Sequence, residues 1–208
     1  MSKYTEAEIV RARARYRPPR ITILFVGESP PSNGNFFYCG NNDMLRHMRS
    51  AAGLASDSDD DFLQSFTARG WYLDDLVPTP VDHLPRSERV RICWNARHDL
   101  AARIAEYHPL AIVSVLRRIR HAVEAAADEA DSSAPRYAVP FPGHGHQQRF
   151  REEVAHILSK SPLPQSKEPT TENSFSLTYV PFLFSIHSKP IRGCRARNPL
   201  PGCCEGYQ

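Results

Sequence analysis

The chain has 208 residues, 41% hydrophobic and 24% charged, with a formal net charge of +3; this is long enough to bury a sizeable core in one domain and ordinary for a soluble globular protein. The small positive balance permits a polyanionic partner without requiring one, and the preference for Arg over Lys suits phosphate forks or reflects genomic base composition. No run approaches the roughly 18 apolar residues of a membrane span, and "MSKYTEAEIV" has no secretory h-region, so a cytoplasmic protein without membrane association is expected.

Thr5 and Glu8 form a capping-box pattern for a helix over 5–16, which Pro18 and Pro19 terminate. Its Arg11, Arg13 and Arg15 alternate rather than line one face. "ITILFV" (21–26) is a continuous β-branched and apolar run, the pattern of a strand buried on both sides in a parallel sheet. A helix around 42–52 follows, and then "SDSDDDFLQSFTARG", where acidic residues crowd the start of a short helix and Gly70 closes it. "WYLDDLV" (71–77) predicts a second strand, ended by Pro78 and Pro80. Ser87 opens a long helix to Tyr107 on which Val90, Trp94, Leu100, Ala101 and Ile104 recur at helical spacing, and Pro109 stops it. "LAIVSV" (110–115) is a third buried strand, an Ala-rich helix covers 117–130, "RYAVP" (136–140) is a fourth strand, and "QQRFREEVAHIL" is a closing helix. Strands alternating with helices predict a doubly wound α/β sheet. Right-handed crossovers bring the loops after the strands to one edge, where such folds bind ligands.

After about Lys160 the composition shifts to Pro and Ser, helical period is lost, and three of the five cysteines (Cys194, Cys203, Cys204) appear. The expected organisation is therefore an α/β domain over 1–160 and a disordered or loosely attached tail over 161–208, in which "FSLTYVPFLFSI" is the one candidate edge strand. No cysteine pair has metal-ligand spacing, and Cys39 and Cys93 read as core or reduced surface thiols. No metal or cofactor is expected.

"FVGESPP" (25–31) ends the first strand on Gly27, Glu28, Ser29, Pro30 and Pro31. A hydrolase elbow needs Gly where Pro31 stands, and the glycines of a phosphate loop or dinucleotide fingerprint are absent. What remains is a rigid loop presenting a few polar groups to a flat ligand. Loops after the second and fourth strands supply Asp74, Asp75, His83, His144 and His146, which can converge on Ser29, while "NFFYCG" offers Phe36, Phe37 and Tyr38 as flat faces for a base or sugar. The opposing reading is that Phe36 and Phe37 are core and that Gly143-His144-Gly145 merely turns the chain.

In these motifs the chain resembles the uracil-DNA glycosylase superfamily. Gly27-Glu28-Ser29-Pro30-Pro31 is similar to the family's first-strand loop, Phe36 or Phe37 stands near the place of the residue that stacks on the extruded base, and the order of elements over about 20–158 is similar. The departures are Ser29 where water-activating members have Asp, Asp75 (or Asp74) in place of a base-reading Asn, and Phe141-Pro142-Gly143-His144 in place of a His-Pro-Ser loop. The cluster-bearing branch needs four cysteines in the catalytic domain, and here only Cys39 and Cys93 lie there.

The resemblance implies a three-layer α/β/α fold with a central, mostly parallel four-stranded sheet, and an enzyme that hydrolyses the N-glycosidic bond of a deaminated or damaged base in DNA. Ser29 would orient water and His144 would donate to the departing base at O2. Gly27, Glu28, Pro30, Phe36, Phe37 and Asp75 would form the base pocket, and Gly143, His146, Gln147 and Arg149 would contact DNA, with a preference for single strands and the protein acting as a monomer. The rival readings are a non-catalytic nucleotide- or nucleic-acid-binding module on the same fold and, more remotely, metal-assisted hydrolysis through His144 and His146.

Overall fold

A computed structural model describes residues 5–40 and 42–160. The tail at 161–208, with its candidate strand, lies outside the described residues.

Four strands, β1 (Ile23–Gly27), β2 (Trp71–Asp75), β3 (Ala111–Ser114) and β4 (Arg136–Ala138), form one sheet in the order β2-β1-β3-β4. Every pairing is parallel, so the mostly parallel sheet expected from the alternation is parallel throughout. Seven helices flank it among the described residues: α1 (Glu6–Arg15), α2 (Asp43–Ala52), α3 (Asp59–Ala68), α4 (Arg86–Asn95), α5 (Arg97–Tyr107), α6 (Arg120–Glu129) and α7 (Gln147–Lys160). Parallel neighbours require helical crossovers, and the helices pack as α2 with α7 and α5 with α6. The result is a three-layer α/β/α domain.

Local chemistry sets the element ends. The Thr5–Glu8 capping box forms, Asn42 Oδ1 accepts from Leu45 N–H at 2.8 Å, and Ser58 caps α3 ahead of three aspartates. Gly70, at φ 72°, turns α3 into β2, and a Cβ there would lie 2.7 Å from the Arg20 carbonyl oxygen. β1 is buried as its unbroken apolar run requires, with Ile23, Leu24, Phe25 and Val26 inaccessible to solvent in the same core as Phe62, Phe66 and Phe150.

The long helix expected over 87–107 is two helices. It breaks at Ala96, where the Arg97 guanidinium takes the Trp94 carbonyl at 2.8 Å, and the capping N–H of Ala96 turns back to Ile92 and Trp94. The break resets the buried face: Leu100, Ala101 and Ile104 reach the core as expected, but Val90 and Trp94 are left 53% and 47% exposed, and Cys93 is the buried residue of α4.

Connections leave β1 toward β2 and leave β3 toward β4, in opposite directions across the sheet. The carboxyl ends of β1 and β3 therefore flank a topological switch point, the usual crevice for ligands in open α/β sheets.

Candidate functional site at the carboxyl edge

The loops after β1 and β2 run on together beyond the strands. Leu76 N–H donates to the Gly27 carbonyl and Val77 N–H to the Glu28 carbonyl, both at 2.9 Å, and Val81 N–H reaches Ser29 Oγ at 3.3 Å. Ser32 donates through its amide and hydroxyl to the Asp82 carboxylate. Gly27 stands in register with Asp75, and a Cβ built on it would overlap Asp75 Oδ1. Only glycine fits beside that carboxylate. Ser29 is half-buried and Pro30 buried, so the rigid loop expected from the prolines is present.

Asp74 and Asp75 lie in the interior at 3% and 4% exposure, each bonded to arginine. Arg13, from α1, pairs with Asp75 and approaches Asp74 at 3.8 Å. Arg103, from α5, pairs with Asp74 and donates to the carbonyls of Asp75 and Leu76 at 3.0 and 3.2 Å. Tyr107 Oη completes the set at 3.4 Å from Asp74. Burial raises the Asp75 carboxyl to about 6, with the Asp74 charge acting in the same sense and Arg13 opposing both. Asp75 therefore faces a guanidinium and not an open pocket.

Glu28 turns its carboxylate across the switch point, where Arg89 of α4 and Arg118 of the segment after β3 both pair with it, Arg118 at 3.1 and 2.6 Å. The Cys93 thiol lies 3.8 Å away, and burial together with Glu28 pushes it up to about 11. That thiol is an inert core group.

Phe36 and Phe37 belong to the core, at 1% and 4% exposure. Their rings pack on Tyr38 with centroids 5.7 and 5.0 Å away, Phe37 also meets Phe66 at 5.5 Å, and the Arg13 guanidinium lies 5.2 Å from the Phe36 centroid. Both rings are thus buried, and of the two alternatives left open by the sequence the core role is the one this geometry satisfies.

The loop after β4 contrasts with these. Phe141 is 43% exposed, His144 is exposed in the left-handed region at φ 52°, and Gly145 follows at φ 87°. The turn closes through His146 N–H to the Gly143 carbonyl at 3.1 Å and hands over to α7 through Phe150 N–H to the His146 carbonyl. His146 is also exposed, Gln147 begins α7, and Arg149 pairs with Glu153 at 2.8 Å. Among the described residues no group of three or more His, Cys, Asp or Glu side chains converges as a metal site. A cleft of about 450 Å3 lies elsewhere, lined by Arg11, Arg15, Tyr16, Tyr38, Asp59 and Asp60; of the candidate residues only Tyr38 reaches it.

Sequence reasoning missed the arginines. Arg13 falls at the buried helical spacing of Ile9, Arg13 and Tyr16, and a cation in a core stripe is itself a sign of a buried carboxylate partner. Arg89, Arg103 and Arg118 carry no such local mark. Neither a protein-family model nor a curated protein matches the chain. No helix among the described residues is long and apolar enough to cross a membrane.

Proposed function

We propose that this chain is a DNA base-excision glycosylase-like protein that hydrolyses the N-glycosidic bond of a deaminated or damaged base, uracil or a relative, as a monomer and without a cofactor. The observation that carries the reading is the arrangement of the carboxyl edge: the rigid loop with half-buried Ser29 follows β1, and the exposed His144 turn follows β4.

The target base must leave the stack before its C1′ is reachable. As the bond breaks, negative charge grows on O2 of the base, and His144, which has no hydrogen-bond partner of its own among the described residues, is the donor for it. Ser29 Oγ accepts from Val81 N–H, which leaves its proton and a second lone pair to orient water against the oxocarbenium sugar. Phe141 replaces Phe36 and Phe37 as the stacking ring, because it is the exposed aromatic of the loop that carries His144.

One observation favours a second reading, the non-catalytic nucleic-acid-binding module. Glu28, Asp74 and Asp75 are all occupied by arginine, so none is poised to activate water. A gel assay on labelled oligonucleotides, each carrying one modified base, separates the two. Excision of at least one base, slowed about tenfold or more in His144→Ala at unchanged DNA affinity, sustains the glycosylase. Binding without excision across the panel establishes the module, and absence of both overturns both readings.

A further inference from the structure

We propose that Arg89, Arg118, Arg117 and Arg149 form a phosphate-binding belt along the carboxyl edge, and that its partner is the backbone of a single-stranded nucleic acid. The inference rests on the nucleic-acid reading above, but not on catalysis.

Two carboxylates each hold two guanidiniums. Glu28 holds Arg89 and Arg118, and Glu153 of α7 holds Arg117 and Arg149 at 2.7 and 2.8 Å. Because Arg117 and Arg118 are adjacent in the chain, the two triads join into one run from α4, across the switch point, to the first turn of α7. Four arginines against two glutamates leave two uncompensated positive charges. Exposure rises along the run: the side chains of Arg89, Arg118, Arg117 and Arg149 are 18%, 32%, 47% and 58% accessible.

Glu28, at 10% side-chain exposure, anchors the buried end, so those forks are fixed before any ligand arrives and lose little freedom on binding. At the same end Arg89 Nε is buried without a partner, so the Glu28 carboxylate does not satisfy the whole fork. A linear polyanion with a charge at every repeat matches such a run better than a compact anion, which one triad alone would satisfy.

The test uses the full chain and a labelled single-stranded oligothymidylate, with affinity followed from about 50 to 200 mM salt. Replacing both Arg117 and Arg118 with Gln should weaken binding about tenfold at the low end and flatten the slope of log affinity against log salt by about 1.4, since each phosphate contact to a single strand contributes about 0.7. Glu153→Gln should strengthen binding several-fold, a gain that misfolding cannot produce. Arg15→Gln, whose guanidinium pairs with Asp60 outside the belt, should leave both quantities unchanged. An unaltered slope in the double variant, with wild-type binding intact, overturns the belt and spares the nucleic-acid reading. No wild-type binding overturns both, and equal binding of polyglutamate at matched charge assigns the surface to an acidic protein instead.

Discussion

At the end of β2, Asp74 and Asp75 are buried and held by Arg13, Arg103 and Tyr107, whereas after β4 His144 and His146 stand exposed on a left-handed turn. Both regions are at the carboxyl edge of one parallel sheet, and both are rich in polar side chains. The difference lies in desolvation. A carboxylate carried into the interior must be matched by a cation or lose its charge, so its partners turn it into scaffold. A side chain on an exposed turn keeps its donors for a ligand. Density of polar residues at a strand end therefore does not identify the chemistry, and solvent access divides the two cases.

The comparison breaks most sharply at Arg13. Arg13→Gln leaves two adjacent buried aspartates short of a cation and should cost about 3–5 kcal/mol in urea unfolding. Adding Asp75→Asn should recover part of that loss. If the double variant is no more stable than the single one, Asp75 does not depend on Arg13.

Gly27→Ala comes next, because its methyl group overlaps Asp75 Oδ1, whose carboxylate Arg13 holds in place. A loss of about 1–3 kcal/mol is expected, and it should shrink when Asp75 is replaced by a smaller residue. Additive effects would mean that the two sites do not touch.

A comparable effect follows from pH. The Asp75 carboxyl is raised from 3.8 to about 6, so the folded state binds its proton more tightly than the unfolded chain does. The stabilisation from that proton is complete below about 3.8 and disappears as pH rises through about 6. The stability difference between wild type and Asp75→Asn should therefore fall from pH 4 to 7, read from urea midpoints at each pH. A flat difference would mean that Asp75 keeps an ordinary carboxylate affinity for protons.

The smallest effect belongs to the other region. His144→Ala should change unfolding free energy by no more than about 0.5 kcal/mol, as for exposed residues without partners, even where it slows excision. A loss comparable to that of Arg13→Gln would make the turn a structural element and erase the contrast.

Alternation of strand and helix, the capping residues and the glycine and proline stops were readable along the chain because each is a local interaction among residues a few positions apart. Thr5 with Glu8, the apolar run of β1 and the Gly27–Pro31 loop are of this kind. The loops of the sheet edge were therefore readable, while the arginine partners of Glu28 and Asp75 were not. Periodicity carried the helix past Ala96 and turned Trp94 inward, because a helix break at a single residue leaves no mark in the hydrophobic pattern.

The sequence by itself determined the α/β class, the parallel strands and the edge at which the polar loops gather, since periodicity and turn chemistry act over short distances. Only the tertiary structure decided that Asp75 meets Arg13 across 62 residues and Glu28 meets Arg118 across 90. Such pairings depend on which buried charges the closing fold brings together. That is a property of the packed interior, where an unmatched charge is expensive, and it is invisible in a chain whose charges are all solvated.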